Sequence, residues 1–171
     1  RWQSTAGRIT IYDPSAGPCD ATRIAAAAAP DTLIVVDYMG LMRTTAGARA
    51  IEDWRAAATI SNELKETTLE YHVPILCAAQ INREGQKSKN AGAEHLSQSD
   101  ALGQDGDVIV TIKDYSTRVR LNSLVKNRHG MQGVRWFTRF EPAIAGFEDI
   151  ASDKAYALSQ VDEEAAAALI E

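Results

Sequence analysis

The chain has 171 residues, of which 45% are hydrophobic and 24% charged, as is typical of one globular domain with a sizeable core. It has no apolar run of bilayer-spanning length and no charged-then-apolar leader, so neither a membrane protein nor a secreted protein is indicated, and we expect a cytoplasmic location. The net charge of −5 argues weakly against a broad nucleic-acid surface. However, residues 148–171 contain seven acids and one lysine, and the remaining chain has 17 basic and 16 acidic residues, so an acidic tail follows a balanced body.

The first third of the chain predicts a strand, a helix and a second strand. Residues 8–12 alternate between polar and apolar side chains, which is typical of a strand, and turn-forming residues follow at 13–18. An alanine-rich helix is predicted over residues 20–29, because Pro30 and Asp31 end it. The apolar, mostly β-branched run at 32–36 then predicts the second strand and completes a βαβ unit.

Asp37 ends this central strand. A near-continuous apolar run predicts a parallel strand buried on both faces, and the carboxyl ends of such strands face the ligand crevice of an α/β sheet. A carboxylate there is a candidate for holding Mg²⁺ beside a nucleotide phosphate. An alternative is that Asp37 only caps the following turn, as aspartate often does.

A long helix and a further strand follow. Apolar residues recur at helical spacing over residues 48–71 and predict one core-facing stripe, made of Trp54, Ala57, Ile60, Leu64, Thr68 and Tyr71. Residues 74–79 predict a second buried strand that leads into Gln80. Two such crossovers imply an α/β fold with a parallel, right-handed, doubly wound sheet.

The segment from 84 to 97 is polar, has no periodicity and is rich in Gly, Lys, Asn and Ser. Loops of this length inside a compact domain are usually functional or disordered. Arg83, Lys87 and Lys89 give it a basic character that suits phosphates. The alternative is a solvated, mobile loop without any partner.

The C-terminal part predicts antiparallel structure. A strand at 108–112 precedes two strand-like runs, 118–126 and 134–140, which form a hairpin. Lys126 and Arg128 lie at its tip, two residues apart, so on an extended segment they project to the same side. The two cations could serve a phosphate on a neighbouring subunit, or they could be ordinary charges in contact with bulk solvent.

An edge strand at 144–147 and tail helices within 152–171 are predicted to complete the chain. We divide the chain into a core (1–147) and an acidic helical tail (148–171).

Two further features concern nucleotide chemistry. The sequence contains no Gly-x-x-x-x-Gly-Lys-Ser/Thr phosphate-binding loop, so in a nucleotide-hydrolysing protein this loop would lie upstream of Arg1. Because the chain starts at Arg1 rather than at a methionine, we expect it to be a fragment.

Gln80 ends the strand that follows the one carrying Asp37, and it either senses a γ-phosphate in the same crevice or is an ordinary polar strand end.

Five short motifs occur in the order and spacing of one known family. They are Val-Val-Asp-Tyr at 35–38 with Leu41 and Met42, Ile-Ser-x-x-Leu-Lys at 60–65, Val-Pro at 73–74 through Gln-Ile-Asn-Arg-Glu at 80–84, Gln-Asp-x-Asp at 104–107, and Lys-Asn-Arg-His-Gly at 126–130. Together they resemble the RecA-like motor domain of DnaB-type replicative DNA helicases, and the resemblance covers roughly residues 8–140.

The resemblance implies a RecA-like α/β fold, with a doubly wound, mostly parallel sheet, helices on both faces and a C-terminal antiparallel hairpin. It also implies a homo-hexameric ring that hydrolyses ATP with Mg²⁺ between subunits and moves along single-stranded DNA. By position, Asp37 would hold Mg²⁺ and Gln80 would sense the γ-phosphate. Lys126 and Arg128 would enter the neighbouring subunit's ATP site. Residues 83–107, with Arg83, Lys87 and Lys89, would line the pore and contact DNA.

The sequence also departs from the family pattern. The family's usual Arg-Glu-Ser-Gly falls near Ser-Gln-Ser-Asp at 97–100, and no residue matches the catalytic glutamate. Because the phosphate-binding loop is missing, we expect the chain alone to be inactive, and the resemblance implies that the intact parent is an ATP-dependent helicase. The alternatives are a RecA or RadA-type recombination ATPase and a non-catalytic DNA-binding or ring-assembly module. The gene sequence upstream of Arg1 would separate these possibilities.

Overall fold

A computed structural model describes residues 7–12, 17–50, 54–80 and 100–167 of the chain. The chain divides into two compact units, Arg1–Ala79 and Gln80–Glu171, and each is described by itself. In these four ranges, no helix is both long enough and apolar enough to cross a bilayer.

The first unit contains a pair of parallel strands. Strand β1 (Ile34–Val36) pairs with β2 (Ile75–Cys77), and Val36 lies opposite Cys77. Helix α1 (Ala21–Ala27) precedes β1, and a short 3-10 helix (Met39–Leu41) and the long helix α2 (Trp54–Tyr71) lie between the two strands. Parallel neighbours need a long crossover connection, which usually contains a helix. The parallel pairing predicted from the sequence is therefore confirmed.

Helix α1 begins one residue after its predicted start, and Asp20 is its N-cap. The Asp20 side chain accepts a hydrogen bond from the Arg23 backbone N–H at 2.9 Å, which satisfies one of the unpaired donors of the first turn. The helix ends at Ala27, two residues earlier than predicted, because the backbone becomes extended at Ala28.

The structure describes helix α2 from Trp54, and residues 48–50, at its predicted start, are not helical. Arg49 instead forms an isolated antiparallel bridge with Arg43, and the Thr44 hydroxyl accepts a hydrogen bond from the Ala48 N–H at 3.1 Å. The buried side of the helix consists of Ala56, Ala57, Ile60, Ser61, Leu64 and Thr67. Trp54 and Tyr71, which we assigned to the core-facing stripe, are exposed at the two ends of the helix.

Two further expectations for the first unit are wrong. Residues 8–12 form no strand, and Ile9 and Ile11 are exposed, because an alternating pattern alone does not supply the paired neighbour that a strand needs. Strand β1 is not buried on both faces, since Val35 and its register partner Leu76 are 60% and 61% exposed. A continuous apolar run does not by itself determine how many layers cover a strand.

The second unit contains a four-stranded antiparallel sheet. Helix α3 (Asp100–Asp105), which the sequence did not predict, leads into β3 (Val108–Asp114). Strands β4 (Val119–Asn127), β5 (Arg135–Glu141) and β6 (Gly146–Ile150) follow, and the sheet order is β3-β4-β5-β6. The predicted hairpin is confirmed as β4 and β5, and the predicted edge strand is β6, shifted by two to three residues. Antiparallel pairing thus extends beyond the hairpin to all four strands of this unit.

The described part of the acidic tail contains the helix α4 (Ser152–Ala167), which packs against β4 and β5. Its Ala155 joins Val119 and Ile150 in a buried cluster that Phe137 and Leu158 extend. The boundary that we placed between residues 147 and 148 stays a prediction.

A buried carboxylate fastens α4 to the turn between β3 and β4. Asp162 accepts hydrogen bonds from the Ser116 hydroxyl at 2.6 Å and from the Arg118 backbone N–H at 3.1 Å, and it pairs with the Arg118 guanidinium at 2.8 Å. Burial raises the pKa of Asp162, but the hydrogen bonds from Ser116 and Arg118 and the charge of Arg118 outweigh it, so the pKa lies below its ordinary value of 3.8.

We expect Asp162→Ala to lower the free energy of unfolding by about 1–3 kcal/mol, because it removes the charge-assisted hydrogen bonds that this buried carboxylate accepts from the half-buried Ser116 and Arg118. Since the folded-state pKa is lowered, this stabilisation is complete above the ordinary pKa and is lost as the pH falls through the folded value. Urea unfolding between pH 3 and 7 would measure both effects. Asp153→Ala, which changes an exposed acid on the same helix, is the control. Equal acid sensitivity of Asp162→Ala and the unchanged protein would contradict the prediction.

Candidate functional site

Asp37 directly follows β1 at the carboxyl end of the parallel pair. The Ala78 N–H donates to the Val36 carbonyl at 3.0 Å, and the Met39 N–H donates to the Ala78 carbonyl at 2.9 Å, so the backbone on both sides of Asp37 is tied to the end of β2. The Asp37 side chain is exposed. No hydrogen bond or ion pair engages its carboxylate among the described residues, and the 3-10 helix that follows has no side-chain cap. The turn-capping alternative therefore finds no support in these ranges.

Gln80 is the third residue after β2 and is exposed. The strands that precede Asp37 and Gln80, β1 and β2, are paired in parallel, but Asp37 belongs to the first unit and Gln80 to the second. That Gln80 senses a phosphate stays a prediction.

A single exposed carboxylate suits the manner in which proteins hold Mg²⁺ beside a nucleotide. Mg²⁺ keeps several waters and is usually bound through one or two carboxylates together with substrate phosphates. Over the ranges that the structure describes, no group of three or more His, Cys, Asp and Glu side chains is placed to hold a metal ion by itself. Asp37 therefore fits a metal shared with a nucleotide rather than a metal site built wholly from protein.

Lys126 and Arg128 both reach the carboxyl end of α3. The Lys126 Nζ donates to the carbonyl oxygens of Gly103 and Gln104, each at 2.8 Å. The Arg128 Nη2 donates to the Gln104 carbonyl at 3.2 Å, and the Arg128 Nε lies 3.3 Å from Asp107 Oδ1. The two cations thus project to the same side, as their spacing predicted.

Their position in the hairpin differs from the prediction. Lys126 is the penultimate residue of β4 and is half-buried, so it does not lie at the tip, whereas Arg128 belongs to the connecting turn. The hydrogen bonds of β3 and β4 continue to the end of the hairpin arm, with Val108 opposite Asn127, and this pairing holds Lys126 inside the sheet.

The turn itself explains part of the Lys-Asn-Arg-His-Gly motif. The Asn127 side chain donates to the Met131 carbonyl at 3.3 Å and accepts from the His129 N–H at 3.3 Å. A Cβ atom at Gly130 would lie 2.6 Å from Asn127 Nδ2, so a larger residue there would displace the Asn127 amide from these hydrogen bonds. Asn127 and Gly130 therefore shape the turn that carries Arg128.

Three predicted DNA-contacting residues, Arg83, Lys87 and Lys89, lie outside the described residues. Asp37 belongs to the first unit, and Lys126 and Arg128 belong to the second. Sequence reasoning missed Gln104 and Asp107 as partners of the cations. The signal was present, since both belong to the Gln-Asp-x-Asp motif at 104–107, but the resemblance assigned this segment to the pore rather than to the cations.

Comparison with known proteins decides the family. A model of the DnaB-like helicase C-terminal domain matches residues 19–149. The chain belongs to this family. Two solved structures show its RecA-like fold, and each covers 77% of the chain at 18% identity. One is the ATPase domain of G40P, with a TM-score of 0.64 over 52% of that chain. The other is a DnaB-like replicative helicase described with its interactions with primase, with a TM-score of 0.63 over 36% of that chain.

Relatives of this DnaB-like domain include full-length helicases. The probable plasmid replicative DNA helicase of Chlamydia trachomatis is 30% identical over 122 residues, which is 69% of this chain and 26% of that protein. The replicative DNA helicase DnaB of Mycoplasma pneumoniae is 32% identical over 82 residues, which is 47% of this chain and 17% of that protein. The chain thus spans about a quarter or less of the length of these relatives.

Proposed function

We propose that this chain is the C-terminal part of the motor domain of a replicative DNA helicase, which hydrolyses ATP between the subunits of a hexameric ring and moves along single-stranded DNA. The observation that carries the proposal is the family match over residues 19–149. Relatives named as replicative helicases support it.

The carboxyl end of the parallel pair supplies one half of the ATP site in this proposal. Asp37 holds Mg²⁺ beside the phosphates, and the bound ion neutralises charge on the β- and γ-phosphate oxygens. The Gln80 amide binds the γ-phosphate or orients the attacking water, which a neutral donor and acceptor can do without taking part in proton transfer.

The cationic hairpin supplies the other half from the neighbouring subunit. The Arg128 guanidinium stabilises negative charge on the transferring phosphoryl group, and Lys126 adds a second positive charge on the same side. Their shared direction in the structure supports a joint role, because both side chains reach the Gln104 carbonyl.

DNA is bound through its backbone in this proposal. Arg83, Lys87 and Lys89 contact phosphates in the pore, and such contacts are tolerant of sequence and sensitive to salt. Because the chain has no phosphate-binding loop, we expect the 171 residues by themselves to bind ATP very weakly and not to hydrolyse it. The match to a helicase family favours this function over a recombination ATPase.

The test is ATP-dependent unwinding of a forked duplex by the intact parent, together with a Lys87→Ala/Lys89→Ala variant. We expect unwinding by the parent. In the variant we expect weaker single-strand binding and a slope of log affinity against log salt that is shallower by about 1.4, since each phosphate contact on a single strand contributes about 0.7.

Lys154→Ala is the matched control, because Lys154 is an exposed lysine on α4, outside the proposed pore loop. A parent that hydrolyses ATP but exchanges strands without unwinding would indicate a recombination ATPase. A natural start codon near Arg1 and no ATPase activity would indicate a non-catalytic module. An unchanged salt slope would remove Lys87 and Lys89 from the DNA interface.

A further inference from the structure

The carboxyl end of α3 binds the cations of the hairpin through backbone carbonyls. The last carbonyl groups of a helix have no partner within the helix, and basic side chains often bind them. In α3 these carbonyls belong to Gly103 and Gln104, which accept three hydrogen bonds from Lys126 and Arg128. The carbonyl groups of Gly103 and Gln104 thereby gain hydrogen-bond partners outside the helix.

Asp107 contacts Arg128 twice. Its carbonyl accepts the Arg128 backbone N–H at 2.9 Å, and its carboxylate lies 3.3 Å from the Arg128 Nε. Gly106 leaves room in this turn, because a Cβ there would lie only 3.1 Å from the Ile109 side chain and 3.3 Å from the Leu102 carbonyl. The tight turn from α3 into β3 therefore places Asp107 beside the residue that follows β4.

The contacts leave part of the Arg128 guanidinium available. The group has five N–H donors in a rigid planar fork, and within the described residues the contacts are made by Nε and Nη2, not by Nη1. The side chain keeps 45% of its surface exposed. A guanidinium that is held along one edge in this way still presents its other edge to an anion.

We propose that Asp107 is a positioning residue for Arg128, which it fixes in the orientation needed at the neighbouring subunit's ATP. The inference rests on the proposed function of Arg128. Its physical basis is that a long side chain loses rotamer freedom when it binds a phosphoryl group, and anchoring it beforehand removes that cost from the reaction. Asp107 itself touches neither ATP nor DNA in this proposal.

The test compares Asp107→Ala, Asp107→Asn, Arg128→Ala and the double variant in the intact parent. We expect Asp107→Ala to lower kcat for ATP hydrolysis about tenfold, with KM changed less than about twofold, because misplacing a catalytic group mainly raises the barrier of the chemical step. Asp107→Asn keeps the shape of the side chain and one acceptor oxygen, so its kcat should lie between those of the unchanged parent and Asp107→Ala. The double variant should be no more than about twofold slower than Arg128→Ala, since Asp107 acts through Arg128.

Asp114→Ala is the matched control. Asp114 pairs with the Nε of Arg120 at 2.9 Å, at the far end of β3 from Asp107, so this variant breaks a similar ion pair without touching Arg128. We expect its kcat to be unchanged. Thermal unfolding of each variant separates loss of position from loss of fold, and Asp107→Asn provides a second test if Asp107→Ala is poorly folded.

The possible outcomes distinguish this inference from the function on which it rests. If Arg128→Ala slows hydrolysis and both Asp107 variants hydrolyse ATP at the normal rate, the positioning role is wrong and the proposed function stands. The positioning role would also be wrong if the fold-loss of kcat in the double variant equalled the product of the losses in the two single variants. If Arg128→Ala itself has no effect in a parent that unwinds DNA, the roles of both residues fail, and a parent that does not unwind DNA overturns the helicase proposal.

Discussion

Replacing Asp37 with asparagine in the intact parent is expected to abolish ATP turnover and to leave the fold intact. The change removes the negative charge that we propose for Mg²⁺ at the end of β1, and the electrostatic stabilisation lost in such cases corresponds to a factor on the order of 10³ in rate. The side chain is exposed and its carboxylate has no partner in the described residues, so little folding energy depends on it. Steady-state ATP hydrolysis and thermal unfolding would measure the two effects.

Asp31→Asn is a suitable control for this experiment. Asp31 is exposed in the turn that precedes β1 and has a left-handed backbone with φ of 58°, a conformation that asparagine tolerates well. The same loss of charge at the opposite end of the strand should leave turnover unchanged. A wild-type rate for Asp37→Asn would remove Asp37 from the metal site.

Replacing Arg128 with alanine is expected to reduce ATP hydrolysis by on the order of 10³ or more, because an arginine supplied in trans stabilises charge on the transferring phosphoryl group. Nucleotide affinity should change far less. The structure indicates a small folding cost, since the ion pair with Asp107 is partly exposed on both sides and such pairs contribute about 0–1 kcal/mol. Hydrolysis and nucleotide binding measured on the same preparation would test the prediction.

Mixed rings provide the decisive comparison for Arg128. A subunit carrying Arg128→Ala with an intact phosphate-binding loop should hydrolyse ATP again when its neighbour lacks that loop but keeps Arg128. Arg139→Ala is the control, because Arg139 forms a similarly exposed ion pair with Glu148 in the same sheet. Mixed rings that stay hexameric but show no recovery at several ratios would show that Arg128 acts within its own subunit or only holds the ring together.

Local patterns predicted the elements whose formation depends on nearby residues. The parallel partners β1 and β2, helix α1, the β4–β5 hairpin and the tail helix were all expected from periodicity, composition and turn chemistry. Residues 8–12 show the limit of such patterns, because a strand exists only when another strand supplies its hydrogen bonds. Helix α2 shows another, since Arg49, which the sequence pattern placed in the helix, pairs with Arg43 in an isolated bridge.

Sequence alone was enough to identify the DnaB-like family, because five motifs in order are specific even though each one is weak. It also placed Asp37 at the end of a strand and Lys126 and Arg128 on one side of a hairpin, since these positions follow from spacing along the chain. Only the tertiary structure showed that the exposed face of β1 includes Val35, that Asp162 fastens the tail helix to the turn after β3, and that Asp107 and the end of α3 hold the two cations. Each of these depends on which residues meet across long separations in the chain, and no local period or propensity encodes such a meeting.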